Sequence, residues 1–232
     1  MTFRIVHLFP NELGMFGDVG NVTALEMRAR WSGVDVSVET VELSDAIPAG
    51  ADVYVIGSGS TAGLRAVSTV MPALSRALNK AHADGATVVG IGAGLHLLTT
   101  RVEMTAGKAI DGVGLIDAVS VPRVERLVGP VSAFAGAQEV AGYMNTGHEL
   151  VGAHTALIEK IEGLSVDVDG VSAQGILGTH LHGPFFPMNP HFADGIIERH
   201  TGVAVNQLDS RVERATHAAF ESRRSLRREM GL

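Results

Sequence analysis

Three stretches of this chain carry residues whose types and spacing could do chemistry. The first is Val88-Val89-Gly90-Ile91-Gly92-Ala93-Gly94-Leu95-His96-Leu97-Leu98. An apolar run ends in three glycines at alternate positions, and a second apolar run with helical spacing follows. That is the pattern of a buried strand turning sharply into a helix. In a turn of the form G-x-nucleophile-x-G the central side chain stands exposed beside free helix N–H groups. Here the central residue is Gly92. The scaffold of a nucleophile elbow is present and its nucleophile is not.

The second stretch is Gly57-Ser58-Gly59-Ser60-Thr61-Ala62-Gly63. It follows the apolar run Val53-Tyr54-Val55-Ile56, and its backbone amides could cradle an anion. It lacks the Lys of a G-x-x-x-x-G-K-[ST] loop, and its glycines do not match G-x-G-x-x-G. A tight strand-to-helix turn and an oxyanion or carboxylate site facing the elbow both fit. The third stretch is Gly178-Thr179-His180-Leu181-His182-Gly183-Pro184. Two histidines two residues apart share one face of a strand. His182 fits a general base near the elbow, since such a base often comes from a late strand end. The pair could also hold a metal with Asp18 or Asp194 as an oxygen ligand, or His182 could serve Ser58 or Ser60 in a hydrolase. His96 falls on the helix after the elbow.

The elements that must position these residues alternate between strand and helix. Phe3–Phe9, Val34–Val38 and Asp52–Ile56 read as strands. Val22–Trp31, with Asn21 as N-cap, and Met71–Ala83 read as helices. Such alternation implies βαβ crossovers and a mostly parallel sheet covered on both faces. Ligands bind at the carboxyl ends of such strands. The loops 11–21, 57–63 and 90–94 all fall there and should converge. After residue 112 the texture changes: Val113–Val121 and Arg126–Val131 read as strands, while 136–140 and 147–153 read as turns or short strands. An antiparallel extension is expected. Helices should follow Asn189-Pro190 and span about 209–230.

Composition narrows the function classes. The chain has 232 residues, 46% hydrophobic and 19% charged, enough for a large core. The absence of cysteine excludes disulfides, thiolate metal sites and a cysteine nucleophile. A net charge of -7 argues against general nucleic-acid binding. The C-terminal segment is basic, with Arg211, Arg214, Arg223, Arg224, Arg227 and Arg228 against Glu213, Glu221 and Glu229. It reads as a solvated helix face or as a surface for an acidic partner. No apolar stretch spans a bilayer and no leader pattern is visible, so a soluble cytoplasmic protein is expected. No linker or repeat divides residues 1–232, so one domain is expected.

Together these motifs resemble the cobyric acid synthase and GatD-type branch of the class I glutamine amidotransferases. Met15-Phe16-Gly17-Asp18-Val19-Gly20-Asn21 is similar to the family's Y-G-D-x-G-N loop. Gly90–Gly94 matches its elbow, usually G-x-C-x-G. Gly112–Asp117, Gly142–Gly147 and Gly178–Pro184 are similar to G-L-G-L-L-D, G-F-E-N-H-G and G-T-Y-L-H-G-P. The resemblance implies a flavodoxin-like α/β fold, a mostly parallel sheet flanked by helices, with the antiparallel extension. It implies a glutaminase in which a cysteine attacks the glutamine amide and His182 moves the proton. Ala93 and the Gly57–Ser58–Gly59 loop would supply the oxyanion amides, and Arg126 would hold the glutamine carboxylate. No cofactor or metal is called for. The implied partner is a Mur-ligase-like subunit that receives ammonia; a homo-oligomer is the other assembly open. No nucleic acid or membrane insertion is expected.

The departures cluster at the site. The family nucleophile is Gly92, and its G-G-G-x-D-x-x-Q reads Gly57-Ser58-Gly59-Ser60-Thr61-Ala62-Gly63-Leu64. His96 stands for Gln, Met144 and Thr146 for Glu and His, and His180 for Tyr. The expectation is a family member without glutaminase activity, whose vacated pocket binds a small anion or supports a partner.

Overall fold

A computed structural model describes residues 2–232. The first half runs β1 (Thr2–Leu8), α1 (Pro10–Leu13), α2 (Val19–Trp31), β2 (Asp35–Val41), β3 (Val53–Ile56), α3 (Thr61–Ser68), α4 (Met71–Ala83), β4 (Thr87–Ile91) and α5 (Ala93–Leu98). The second half opens with β5 (Thr99–Val102), β6 (Ile110–Asp111) and a long hairpin of β7 (Ile116–Ala135) and β8 (Gln138–Gly152). Then come β9 (Ile158–Glu162), β10 (Val168–Asp169), β11 (Val171–Ala173), β12 (Ile176–Thr179) and β13 (Leu181–His182). Three helices finish the chain: α6 (Phe185–Met188), α7 (Pro190–Thr201) and α8 (Ser210–Glu229).

Six strands form the central sheet in the order β11-β12-β4-β3-β1-β2. Every pairing is parallel except β11 with β12. The core lies on both faces of this sheet. Ile5, Val53, Val55, Val89 and Ile91 point to one side, against α2, α6 and α7. Val6, Leu8, Tyr54, Ile56 and Val88 point to the other, against α3, α4 and α5. A strand covered twice has no polar alternation, which is why β3 and β4 are buried at every residue.

The expected antiparallel extension is a second, seven-stranded sheet built on the β7–β8 hairpin. Two expectations need correction here. The segments 136–140 and 147–153 are not separate short pieces: the turn is confined to Gly136, at φ 59°, and Ala137, and β8 runs on from Gln138 to Gly152. Nor is Asn21 the cap of α2. The helix starts at Val19, and the buried Asn21 side chain instead accepts from Phe186 N–H at 2.8 Å, tying α2 to α6. Arg28 makes a second tie, a part-buried bidentate pair with Asp194. Helix α8 packs through Val212 and Ala219 and turns part of its charge inward, with Arg227 donating to Ser132 Oγ and Arg223 to Met188 O. Among the described residues no helix is long and apolar enough to cross a membrane.

Candidate functional site at the elbow

The three loops at the carboxyl ends of β1, β3 and β4 meet as expected. Met15 N–H donates to Ser58 O at 2.9 Å, and Gly94 N–H to Gly57 O at 3.0 Å. Asp18 Oδ2 accepts from Ser58 N–H at 2.5 Å. Close approach explains the glycines. A Cβ on Gly57 would lie 2.8 Å from Asp18 Cβ, and one on Gly90 would lie 2.8 Å from Leu95 N.

Gly92 joins β4 to α5 at φ 53°, ψ -109°, and its N–H donates to Thr179 O at 2.8 Å. The backbone therefore holds the strained turn of a nucleophile elbow, a shape that glycine takes without the cost a side chain would add. The place of the missing side chain is filled. A Cβ built on Gly92 would press on Ser58 Oγ, lie 2.9 Å from Ser58 Cβ and 3.0 Å from His182 Cε1. Ser58 Oγ also accepts from Ala93 N–H at 3.3 Å. The hydroxyl thus sits where a side chain at position 92 would be and covers the amide beside it.

His182 lies on β13 opposite Tyr143 of β8, 3% exposed. Neither of its ring nitrogens has a hydrogen-bond partner. Phe16 lies over it, ring centroids 4.7 Å apart. Burial pushes its pKa down to about 4, with help from His180 and against the pull of Asp169, so the imidazole is neutral at pH 7. His180 does not share this environment. Its Nδ1 meets Asp169 Oδ1 at 2.6 Å, while Asp169 Oδ2 accepts from Thr179 Oγ1 and from His180 N–H. The pair His180–His182 is thus split between a carboxylate partner and an aromatic cover. Among the described residues no three His, Asp or Glu side chains are placed to hold a metal. Asp194 belongs to Arg28 and Asp18 to Ser58 N–H.

A cavity of about 300 Å³ opens in front of the elbow. Ser58, Gly59, Gly92, Ala93 and Arg126 line it, whereas Gly57 and His182 lie behind its wall. Arg126 reaches it from β7, its Nε donating to Asn145 Oδ1 at 2.8 Å. Ser60 caps α3 by accepting from Gly63 N–H at 3.1 Å and stands apart from His182. Three residues went unnoticed in the sequence. Phe16 seals His182, Asp169 holds His180, and His148 packs on His96 with centroids 5.0 Å apart. Asp18 was read only as an oxygen ligand. Buried at 0% exposure, its carboxyl is raised to about 7 by desolvation, against the Ser58 N–H that favours the ionised form.

Known proteins share this architecture. The chain is 24% identical over 201 residues to the GatD subunit of the glutamine-hydrolysing lipid II isoglutaminyl synthase of Staphylococcus aureus, covering 84% of this chain and 83% of that one. It is 23% identical over 203 residues to the GatD subunit of Streptococcus pneumoniae, covering 82% and 77%. Among solved structures, PurLQS of Thermotoga maritima superposes with a TM-score of 0.55 at 14% identity, over 78% of this chain and 88% of that one. A glutamine amidotransferase of Thermotoga maritima superposes with a TM-score of 0.55 at 11% identity, over 98% and 97%. At such identities the structures speak for the fold alone. The family model of the CobB/CobQ-like glutamine amidotransferase domain matches residues 4–190, and this chain belongs to that family.

Proposed function

We propose that this chain no longer hydrolyses glutamine and that its elbow pocket binds a small anion, in a subunit that sits beside an amide-forming ligase of Mur type. One observation carries the reading: position 92 offers no side chain, and Ser58 Oγ occupies the space. The resemblance aligns a family glycine with Ser58 and the family cysteine with Gly92. The two differences compensate in volume, one filling what the other empties. Without a nucleophile, what remains of catalysis is positioning and oxyanion stabilisation, worth about 10³–10⁴ over water in triad knock-outs. Here even the Ala93 amide is occupied. The relatives support the partner, since each is named as a subunit of a lipid II isoglutaminyl synthase, and they favour a place in cell-wall synthesis. The test is ammonia release from glutamine by the purified chain. No release above the buffer rate is expected, and multiple turnovers would overturn the reading.

Ser58 itself favours a second reading. Its hydroxyl stands in the nucleophile's place with a neutral imidazole nearby, so a serine hydrolase is the competing chemistry. The structure has no hydrogen bond from Ser58 to His182, whose nitrogens are both free. A fluorophosphonate probe decides between the two. Labelling that disappears in Ser58→Ala would establish the hydrolase, and an unlabelled chain would exclude it.

A further inference from the structure

The side chains of the elbow pocket specify the anion more closely than its backbone does. Arg126, His96, His148, Thr61, Thr146 and Asn145 line it, and not one Asp or Glu does. This is notable in a chain of net charge -7. Free glutamine carries an ammonium as well as a carboxylate, and the pocket offers no carboxylate to receive that ammonium. It suits an anion that has no cationic group.

The donors are arranged for more than two oxygens. The Arg126 guanidinium uses Nε on an amide oxygen, Asn145 Oδ1, which leaves its positive charge unneutralised. Helix α3 begins at Thr61 on the pocket wall, and its cap Ser60 accepts only from Gly63 N–H, so the first turn keeps N–H groups directed outward. His96 supplies an independent sign of a ligand. It is 5% exposed, its Nδ1 meets Ser120 Oγ at 3.0 Å, and the rest of its ring forms part of the pocket wall. His148 stacks beside it, with Nε2 donating to Glu103 O at 3.0 Å. Among the described residues the His96 Nε2 has no partner, and it is left to whatever occupies the cavity. The Thr61 hydroxyl adds a further donor, whereas the Thr146 O–H is already given to His148 O at 3.0 Å.

We propose that the elbow pocket is a phosphoryl site, binding inorganic phosphate or the phosphate of a monoester through Arg126, the start of α3 and His96. The proposal rests on the reading that glutamine is not the ligand, and deepens it. A phosphoryl group presents three oxygens and up to two charges, which matches this donor set better than a carboxylate does. Inorganic phosphate would take up the part of the cavity beside Arg126 and Thr61. A monoester would leave its organic part at the mouth, which Met15 and Phe16 line.

The experiment is calorimetric titration of the whole chain with inorganic phosphate, phenyl phosphate, glutarate and glutamine in separate arms. Phosphate or phenyl phosphate should bind with a Kd below about 1 mM, and glutarate and glutamine at least about tenfold more weakly. Whichever of the two phosphate arms is tighter identifies the source. Arg126→Gln, an exposed change, should weaken phosphate binding at least about tenfold with an unchanged melting temperature. Thr61→Val, also an exposed change, provides a second variant with the same direction of effect. Absence of phosphate binding, equal binding of glutarate or glutamine, or full binding by both variants would overturn the proposal. Ammonia release is measured separately, so a silent chain that ignores phosphate fails this inference alone, and an active glutaminase fails the function on which it rests.

Discussion

Around Gly92 the backbone and the side chains diverge. The backbone keeps every feature of a working elbow: the positive φ, the strand-to-helix junction, and the tight seating of Gly90 and Gly94 against their neighbours. The side chains around it are arranged differently. Ser58 fills the centre, Phe16 covers His182, and His180 is bound to Asp169. The difference shows what each part is for. The elbow backbone is also the crossing of β4, α5 and β12, so it is held by the core whether or not chemistry occurs. The side chains at its tip carry less of that second duty and change at a smaller cost to the fold.

Substitutions that add one methyl group separate these parts. Gly90→Ala should cost the most, about 3 kcal/mol or more by urea unfolding, because its Cβ would meet the rigid backbone of Gly94 and Leu95 at 2.8–2.9 Å. A loss below 1 kcal/mol would mean that the frame is not held as described. Next comes the pH dependence set by Asp18. Its carboxyl ionises near 3.9 in the unfolded chain and near 7 in the fold, so the folded state binds more protons between those values. Stability should therefore fall as pH rises from about 4 to about 7, by on the order of 3 kcal/mol, and Asp18→Asn should flatten that slope. An unchanged slope in the variant would place the titration elsewhere.

Gly92→Ala should cost less than Gly90→Ala, about 1–2 kcal/mol, from the positive φ and the contact with Ser58. Adding Ser58→Gly should return part of that loss, a coupling of about 0.5–1 kcal/mol in a double-mutant cycle. Strict additivity would break the volume exchange between the two positions. Ser58→Ala alone should be the smallest change, about 0.5 kcal/mol, since it removes one long hydrogen bond at a pocket edge.

Much of this was legible in sequence because it is local. Glycines at 90, 92 and 94 after an apolar run mark the elbow, and strands alternating with helices mark the parallel sheet. What escaped depends on residues far apart in the chain. Ser58 filling the space at Gly92 joins positions separated by a whole βα unit, and Asp169 reaches His180 only because β11 folds back on β12. The segment 147–153 reads as a turn or short piece, yet the pairing of residues 148–152 with β7 keeps β8 extended. Asn21 has the chemistry of a helix cap, but a tertiary bond to Phe186 N–H claims it. Phe16 gives no local sign that it covers His182; its left-handed φ of 63°, unusual for a bulky residue, is visible only in three dimensions.

The central claim is that no nucleophile stands at the elbow. The direct measurement is the intact mass of the purified chain after incubation with an electrophilic glutamine analogue that alkylates glutaminase nucleophiles. The expected result is an unmodified chain, while Gly92→Cys combined with Ser58→Gly takes up one equivalent at position 92. A stoichiometric adduct on the unaltered chain, mapped to any residue lining the elbow pocket, would contradict it.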